Sequence, residues 1–227
     1  MWLFYGIFGP FKRGVLTMRG SNKQVLYGIL VCIPIILVTE LSHGQNTPAQ
    51  VTVYDRLEKE IRANATINDQ FKNFIVDVLL KQTTNPVVVD AVKKQNAEHL
   101  TLEKIKAIDA KWIAEEGDIP LAEELMNNAC AELGKELAQK HPIIEMFVMD
   151  NQGANVGQNA ITSDYWQGDE EKWQNSFNGG KGGVDIGKLK IDQSTALPQQ
   201  QVSLPIIDEN GSVIGAVCFG IDINPFR

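Results

Sequence analysis

The spacing of the apolar residues changes once along the chain, at Pro142. Before this residue, apolar side chains recur every three or four positions, as they do on one face of an α-helix. After it, apolar and polar residues alternate, and Gly and Asn residues separate the alternating segments, which is typical of antiparallel strands. Helices followed by hairpin-connected strands predict an α+β fold with one antiparallel sheet of about five strands.

The N-terminal half is predicted to be helical. A long amphipathic helix is expected over residues 53–80, although its middle, ANATINDQ, is weakly apolar and is therefore expected to be exposed or slightly bent. A second, shorter helix begins at Pro86, a residue suited to a first helical turn. Two further helices are predicted over residues 101–116, ending at Gly117, and over residues 120–139.

The strands are predicted in the C-terminal part. Residues 143–159 form a hairpin, the segment GGKGGVDIGKLKID leads into a third strand, and residues 197–208 and 212–223 form the last two around the turn DENG. In the last strand, alternation gives a core face with Val213, Val217, Phe219 and Ile221, and a second face with Ile214, Ala216, Cys218, Gly220 and Asp222. This second face becomes small and then acidic, which leaves room for a ligand near the backbone.

Two neighbouring strands predict a polar patch on that second face. Gln201 and Ser203 of the fourth strand would lie beside Asp222 of the fifth. Alternation alone is equally compatible with a solvated surface.

The segment TSDYWQGDEEKWQNSF, residues 162–177, is the second candidate for a binding site. Tyr and Trp combine a large apolar face with one polar group, which suits a pocket that orients a small polar ligand. We expect Tyr165, Trp166 and Trp173 to close over the polar patch while Asp164 faces the ligand. Alternatively, a tryptophan fills an apolar site beneath the loop, and this reading suits Trp173 best because it lies in a helical piece.

The first residues are expected to direct export. The apolar run VLYGILVCIPIILV, residues 25–38, follows Arg19 and Lys23 and precedes Ser42 and Gly44, which suit cleavage before Gln45. We therefore expect an N-terminal extension and signal peptide over residues 1–44, and a single periplasmic domain over residues 45–227.

Two questions about this leader stay open. The apolar run is shorter than the roughly 20 residues that cross a bilayer, but an uncleaved, slightly extended anchor over residues 25–41 is an alternative. Met18 opens a more economical signal than Met1, so we expect translation to begin there.

Charge and motifs exclude several function classes. The formal net charge is −7, which disfavours nucleic acid as a partner. His99 and His141 lack partners at metal-ligand spacing, and Cys130 and Cys218 are expected to be buried free thiols rather than a disulfide. No cofactor is expected. The consecutive acids 169–171 do not form an acid/base pair, and GGKGG lacks the spacing of a phosphate-binding loop, so we predict that the protein is not an enzyme.

Three segments in order carry a resemblance to a known family. FVMDNQGANV, TSDYWQGDEEKW and QVSLPIIDENGSVIGAVCFGID resemble the PDC/Cache group of extracytoplasmic sensor domains, in its single-module form. The resemblance implies a PAS-like sheet of five antiparallel strands and a long N-terminal helix that often packs in dimers. It also implies a small-molecule pocket with Asp164, Tyr165, Trp166 and Trp173 as walls and Asp222 as a polar floor.

The expected ligand follows partly from this resemblance, since such domains bind short carboxylates, amino acids or amines. An amine would suit Asp164 and Asp222 within an aromatic cage. A carboxylate needs a cation or N–H donors, and the nearby basic residues, Lys172, Lys181, Lys188 and Lys190, have no evident inward position. We expect a short carboxylate such as pyruvate or acetate, because the resemblance favours one. Backbone N–H groups of loops commonly bind a carboxylate, and a sequence does not show which of them face a pocket.

Two alternatives are an amine or amino-acid sensor, and a structural periplasmic adaptor without a small ligand. Sensors of this group usually continue into a signalling module, whereas this sequence ends at Arg227. We therefore expect a stand-alone module that reports to a membrane receptor or kinase, with a homodimer through the N-terminal helix as a further expectation.

Overall fold

The computed structural model describes residues 46–191 and 198–227. The predicted signal peptide, its cleavage site and the two candidate start codons lie outside these residues. Within them, no helix combines the length and the apolar character that a membrane span requires.

The helical half is confirmed, with more breaks than the sequence predicts. The described residues contain α1 (Pro48–Ala63), α2 (Asp69–Phe74), α3 (Pro86–Asn96), α4 (Leu102–Ala114), α5 (Pro120–Met126), α6 (Ala129–Lys140) and α7 (Glu171–Phe177). Thr47 and Gln50 form a reciprocal capping box at the start of α1. Pro86 opens α3, as predicted.

The helix predicted over residues 53–80 is divided. α1 ends before Asn64, whose backbone is extended, and the side chain of Asn64 accepts the N–H of Thr66 at 2.8 Å. Asn68 then caps α2 by accepting the N–H of Phe71 at 2.9 Å. Asn side chains compete with helix by forming such local bonds, which explains the interruption. After α2 the chain continues through one π-helical turn, Ile75–Leu79, and a 3₁₀ turn, Leu80–Thr84.

The helix predicted over residues 120–139 is also two helices, and the reason is again a pair of Asn residues. Asn127 ends α5, and Asn128 caps α6 by accepting the N–H of Ala131 at 3.1 Å. The amide of Asn128 also donates to the carbonyl of Val156 at 2.8 Å, which fixes the break against the sheet.

The sheet is antiparallel and contains β1 (Ile143–Met149), β2 (Asn155–Gln158), β3 (Asp185–Ile186), β4 (Lys190–Ile191), β5 (Pro198–Ile207) and β6 (Val213–Asp222). The order is β2-β1-β6-β5-β3, and β4 also pairs with β5. β3 and β4 are thus two short pieces of the predicted third strand. The α+β fold with a sheet five strands wide is confirmed, and its strand order is that of a PAS-like domain.

One face of the sheet forms the main core with the helices. Leu57 and Ile61 of α1 and Val88 of α3 pack there with Val202, Leu204, Val217, Phe219 and Ile221 of the sheet. Burial of each such side chain contributes about 1.5–3 kcal/mol. The prediction for Ile214 is wrong, because it packs against this core rather than beside Ala216. A β-bulge between Ile206 and Ile207 shifts the register there and reverses the alternation.

Candidate functional site

The second sheet face carries a row of polar side chains across three strands. The register places Glu145 of β1, Gly220 of β6 and Gln201 of β5 side by side. The side-chain amides of Gln199 and Gln201 both donate to Glu145 Oε1, each at 3.0 Å. Both donors lie on β5, which is separated from β1 by β6. Together they hold this carboxylate in one orientation.

Gly220 makes this arrangement possible, because no side chain separates β1 from β5 at this row. A Cβ atom on Gly220 would lie 2.5 Å from Glu145 Cγ and would also collide with the amide nitrogen of Gln199. The sequence predicts space near the backbone here, and the side chains of Glu145 and Gln199 extend into it.

The next row of the same face is covered rather than open. Phe147, Cys218 and Ser203 lie side by side, and Trp173 of α7 packs over this part of the face. Trp173 donates its indole N–H to the carbonyl of Asp150 at 3.0 Å and stacks on Phe177. Trp173 thus makes the apolar contact beneath residues 162–177 that the alternative interpretation describes.

A cleft of about 820 Å³ lies over the uncovered polar row. This volume lies within the usual range for small-molecule sites. Its lining contains four carboxylates, three lysines, two glutamines, a serine and a glycine, contributed by Glu145, Ser163, Glu170, Glu171, Lys172, Asp185, Gly187, Lys188, Lys190, Gln199 and Gln201.

Among the lysines of this lining, Lys172 has an ion-pair partner in the structure and is largely enclosed. Its side chain is only 14% exposed, its ammonium nitrogen lies 2.9 Å from Glu170 Oε2, and it sits 5.2 Å from the centre of the Phe147 ring. The sequence pattern did not predict an inward orientation for this lysine. The signal that could have shown it is the spacing in α7, where Lys172 lies four residues before the buried Ser176.

The aromatic loop lies at the other edge of the sheet. Tyr165 accepts the N–H of Asn155 at 3.0 Å, and Gln167 donates to Gly153 at 2.8 Å, so residues 165–167 run beside β2. Asp109 of α4 accepts the N–H groups of both Tyr165 and Trp166 at 2.9 Å. The loop is therefore held between β2 and α4 instead of folding over the polar row.

The two aromatic side chains of this loop contact α4. Tyr165 is 3% exposed and lies 6.0 Å from Trp112, and burial raises the pKa of its hydroxyl. Trp166 donates to the carbonyl of Gln152 at 2.8 Å, and the ammonium of Lys106 sits 4.5 Å from its ring centre. These contacts form a small core of their own at the β2 edge.

The predicted site residues are therefore distributed over four places. Gln201 lines the cleft. Ser203 lies on the same sheet face in the row that Trp173 of α7 covers, and Asp222 lies opposite Gln199 with its carboxylate accepting the N–H of Asn224 at 3.0 Å. Asp164, Tyr165 and Trp166 belong to the β2 edge, although the neighbouring Ser163 reaches the cleft. Their contact with a ligand stays a prediction.

The described part of the chain contains two histidines and two cysteines. Its His, Cys, Asp and Glu side chains form no group of three that could hold a metal ion. Cys130 and Cys218 are free and buried, as predicted. Burial raises the pKa of Cys130 to about 11 and that of Cys218 to about 12, so both thiols are protonated at neutral pH.

Taken with the strand order, an open cleft on one sheet face defines a PAS-like α+β domain, which agrees with the resemblance to PDC/Cache sensor domains at the level of fold. The sequence matches no protein-family model and no curated protein.

Several solved sensor domains are similar to the chain. The V. cholerae histidine kinase DctB sensor domain is 10% identical, with 76% of this chain and 58% of that domain covered and a TM-score of 0.32. The E. coli DcuS sensor domain is 15% identical, with 55% and 90% covered and a TM-score of 0.32. The sensory domain of the Campylobacter jejuni chemoreceptor Tlp3 with isoleucine bound is 13% identical, with 79% and 64% covered and a TM-score of 0.35.

The chain thus spans less than two thirds of the DctB and Tlp3 domains.

Proposed function

We propose that the protein is an extracytoplasmic sensor module that binds a short carboxylate, such as pyruvate or acetate, in the cleft beside the polar sheet row. The observation that carries the proposal is the position of Lys172, a largely enclosed ammonium that lines an open cleft of about 820 Å³. A carboxylate there would gain a charge-assisted hydrogen bond in a partly desolvated place, where such bonds are stronger than in water.

The polar row supplies the remaining contacts for such a ligand. Gln199 and Gln201 line the cleft beside Glu145 and can present amide groups to a carbonyl or hydroxyl oxygen.

One observation favours a second candidate, an amine or amino-acid ligand. Glu145 uses Oε1 for both glutamines, while its Oε2 accepts no hydrogen bond from the described residues. A ligand ammonium group could bind this oxygen, and the other acids of the lining would add to its attraction.

Ligand-induced thermal stabilisation tests both candidates. Purified protein is heated with acetate, pyruvate, amino acids or amines, because a ligand that binds only the native state raises its stability by about 2.7 kcal/mol at 100 times Kd. We expect the Tm to rise with pyruvate or acetate in the wild type and much less in Lys172→Met. Lys181→Met is the matched control, because Lys181 is exposed and does not line the cleft.

The variants also separate the two candidates. If an amine or amino acid raises the Tm and Glu145→Gln removes the effect, the second candidate is correct and the carboxylate proposal is wrong. If no carboxylate, amino acid or amine changes the Tm, the sensor proposal fails and the structural adaptor is favoured.

The cellular setting belongs to the same proposal. The apolar segment 25–38 and the cleavage signal after it support export to the periplasm, where the domain would report to a membrane receptor or kinase. We propose a homodimer through α1 and no catalytic turnover. Cell fractionation of the full chain tests the location, and light scattering with and without ligand tests the dimer.

A further inference from the structure

Glu170 has an unusual position for a residue at the start of a helix. It is the N-cap of α7, yet its side chain accepts no capping hydrogen bond. Its carboxylate instead lies 2.9 Å from the ammonium of Lys172, two positions later. Residues two apart within a helix do not face each other, but the extended backbone of Glu170, with φ −96° and ψ 145°, permits this contact.

The ion pair of Glu170 and Lys172 lies at the cleft, and its two side chains differ in exposure. Lys172 is 14% exposed and Glu170 is 38% exposed, and both line the cleft. The ammonium is therefore approached from the cleft side, where a carboxylate of the protein already lies. A ligand carboxylate is the same chemical group, so it and Glu170 require the same partner.

We propose that Glu170 is an internal competitor for the ligand carboxylate, which holds Lys172 when the cleft is empty and must release it when a ligand binds. This inference rests on the proposed function. The released carboxylate would be solvated, since the Glu170 side chain is already 38% exposed. Glu170 thereby lowers the affinity for every carboxylate ligand. It favours ligands whose other contacts compensate for the lost ion pair between Glu170 and Lys172.

Glu171 provides a matched control in the same lining. It carries the same charge and lies one residue further on, but it is exposed and forms no ion pair among the described residues. A general effect of negative charge on ligand binding would appear equally in variants of both residues. An effect of the ion pair would appear at Glu170 alone.

The experiment measures the affinity for pyruvate and for acetate by isothermal titration calorimetry in wild type, E170Q, E171Q, K172M and the double variant E170Q/K172M. Surface ion pairs contribute up to about 1 kcal/mol, so we expect E170Q to bind about two- to fivefold more tightly than wild type. E171Q should change the affinity less than E170Q does. In the K172M background, adding E170Q should give no comparable gain.

The outcomes separate this inference from the proposed function. Weaker binding in K172M together with unchanged or weaker binding in E170Q overturns the competitor role and leaves the carboxylate site intact. Equal gains in E170Q and E171Q also overturn it, since the effect would then be one of overall charge. Binding by no variant, E170Q included, overturns both. E170D, which keeps the charge on a shorter side chain, should give an intermediate gain.

Discussion

At the residue scale, Gly220 is the position where the smallest change has the clearest structural consequence. We expect Gly220→Ala to destabilise the protein by about 1–3 kcal/mol, because the new Cβ would collide with Glu145 and Gln199 between two paired strands. Urea unfolding measures this change. Gly187→Ala is the control, since its Cβ would meet neighbours only at 3.5 Å or more. Equal stabilities of the two variants would contradict the argument.

The buried thiols predict a pH dependence at the same scale. Burial raises the pKa of Cys130 to about 11 and that of Cys218 to about 12, above the value of 9.0 for a free thiol. Their contribution to stability is fully present below pH 9 and is lost as the pH rises toward these folded-state values, because the unfolded chain releases the protons first.

We therefore expect the free energy of unfolding to fall between pH 8 and pH 10, and to fall less in Cys218→Ala. Guanidinium titrations at both pH values measure this difference. A thiol reagent should label neither cysteine of the folded domain at pH 7, and rapid labelling of Cys218 would refute its burial.

The sequence pattern predicted the features of β5 and β6 at the cleft better than the contribution of β1. Alternation placed Gln201 on the correct face and recognised that Gly220 leaves space, because both properties depend only on the period of a strand. The importance of Glu145 was missed, since its partners Gln199 and Gln201 are more than 50 residues away in sequence. Strand neighbours of this kind are set by the order of the sheet, which no local pattern contains.

At the element scale, the aromatic loop shows where local reasoning stops. Its composition suggested a cover for the polar patch, but the contacts that position it come from Asp109, which lies in α4. The helices show the same limit in milder form. Each was predicted in the correct region, and the breaks at Asn64, Asn68 and Asn128 depend on side-chain caps that compete closely with a continued helix.

Asp109 gives a direct test of how the loop is held. We expect Asp109→Ala to destabilise the protein by about 1–3 kcal/mol, because two partly buried N–H groups lose their acceptor. Hydrogen exchange should accelerate at the amides of Tyr165 and Trp166. Glu103→Ala, an exposed change in the first turn of α4, should leave both amides protected. If exchange at the loop is unchanged in Asp109→Ala, the loop is held by β2 alone.

At the scale of the whole molecule, α1 is connected to the cleft through the glycine-rich segment 178–183. The guanidinium of Arg56 donates to the carbonyls of Lys181 at 2.8 Å and Gly182 at 3.2 Å. Glu60 accepts the N–H of Val184 at 3.2 Å. Val184 is followed directly by Asp185, the residue of β3 that lines the cleft. One helix of the opposite layer thus holds the chain immediately before the site.

This connection predicts that ligand binding is felt in α1. If pyruvate or acetate orders the segment from Asp185 to Lys190, the contacts of Arg56 and Glu60 should become more persistent, because they hold the preceding residues. Hydrogen exchange should then slow in residues 179–184 and around the middle of α1 when ligand is added. Arg56→Ala should abolish the slowing in α1 while changing the affinity only a few-fold, since Arg56 does not line the cleft.

Arg62→Ala, which removes an exposed pair with Glu58, should preserve the slowing. Equal slowing in wild type and Arg56→Ala would show that α1 responds to the ligand through the main core, where Leu57 and Ile61 pack against the sheet, rather than through the glycine-rich segment.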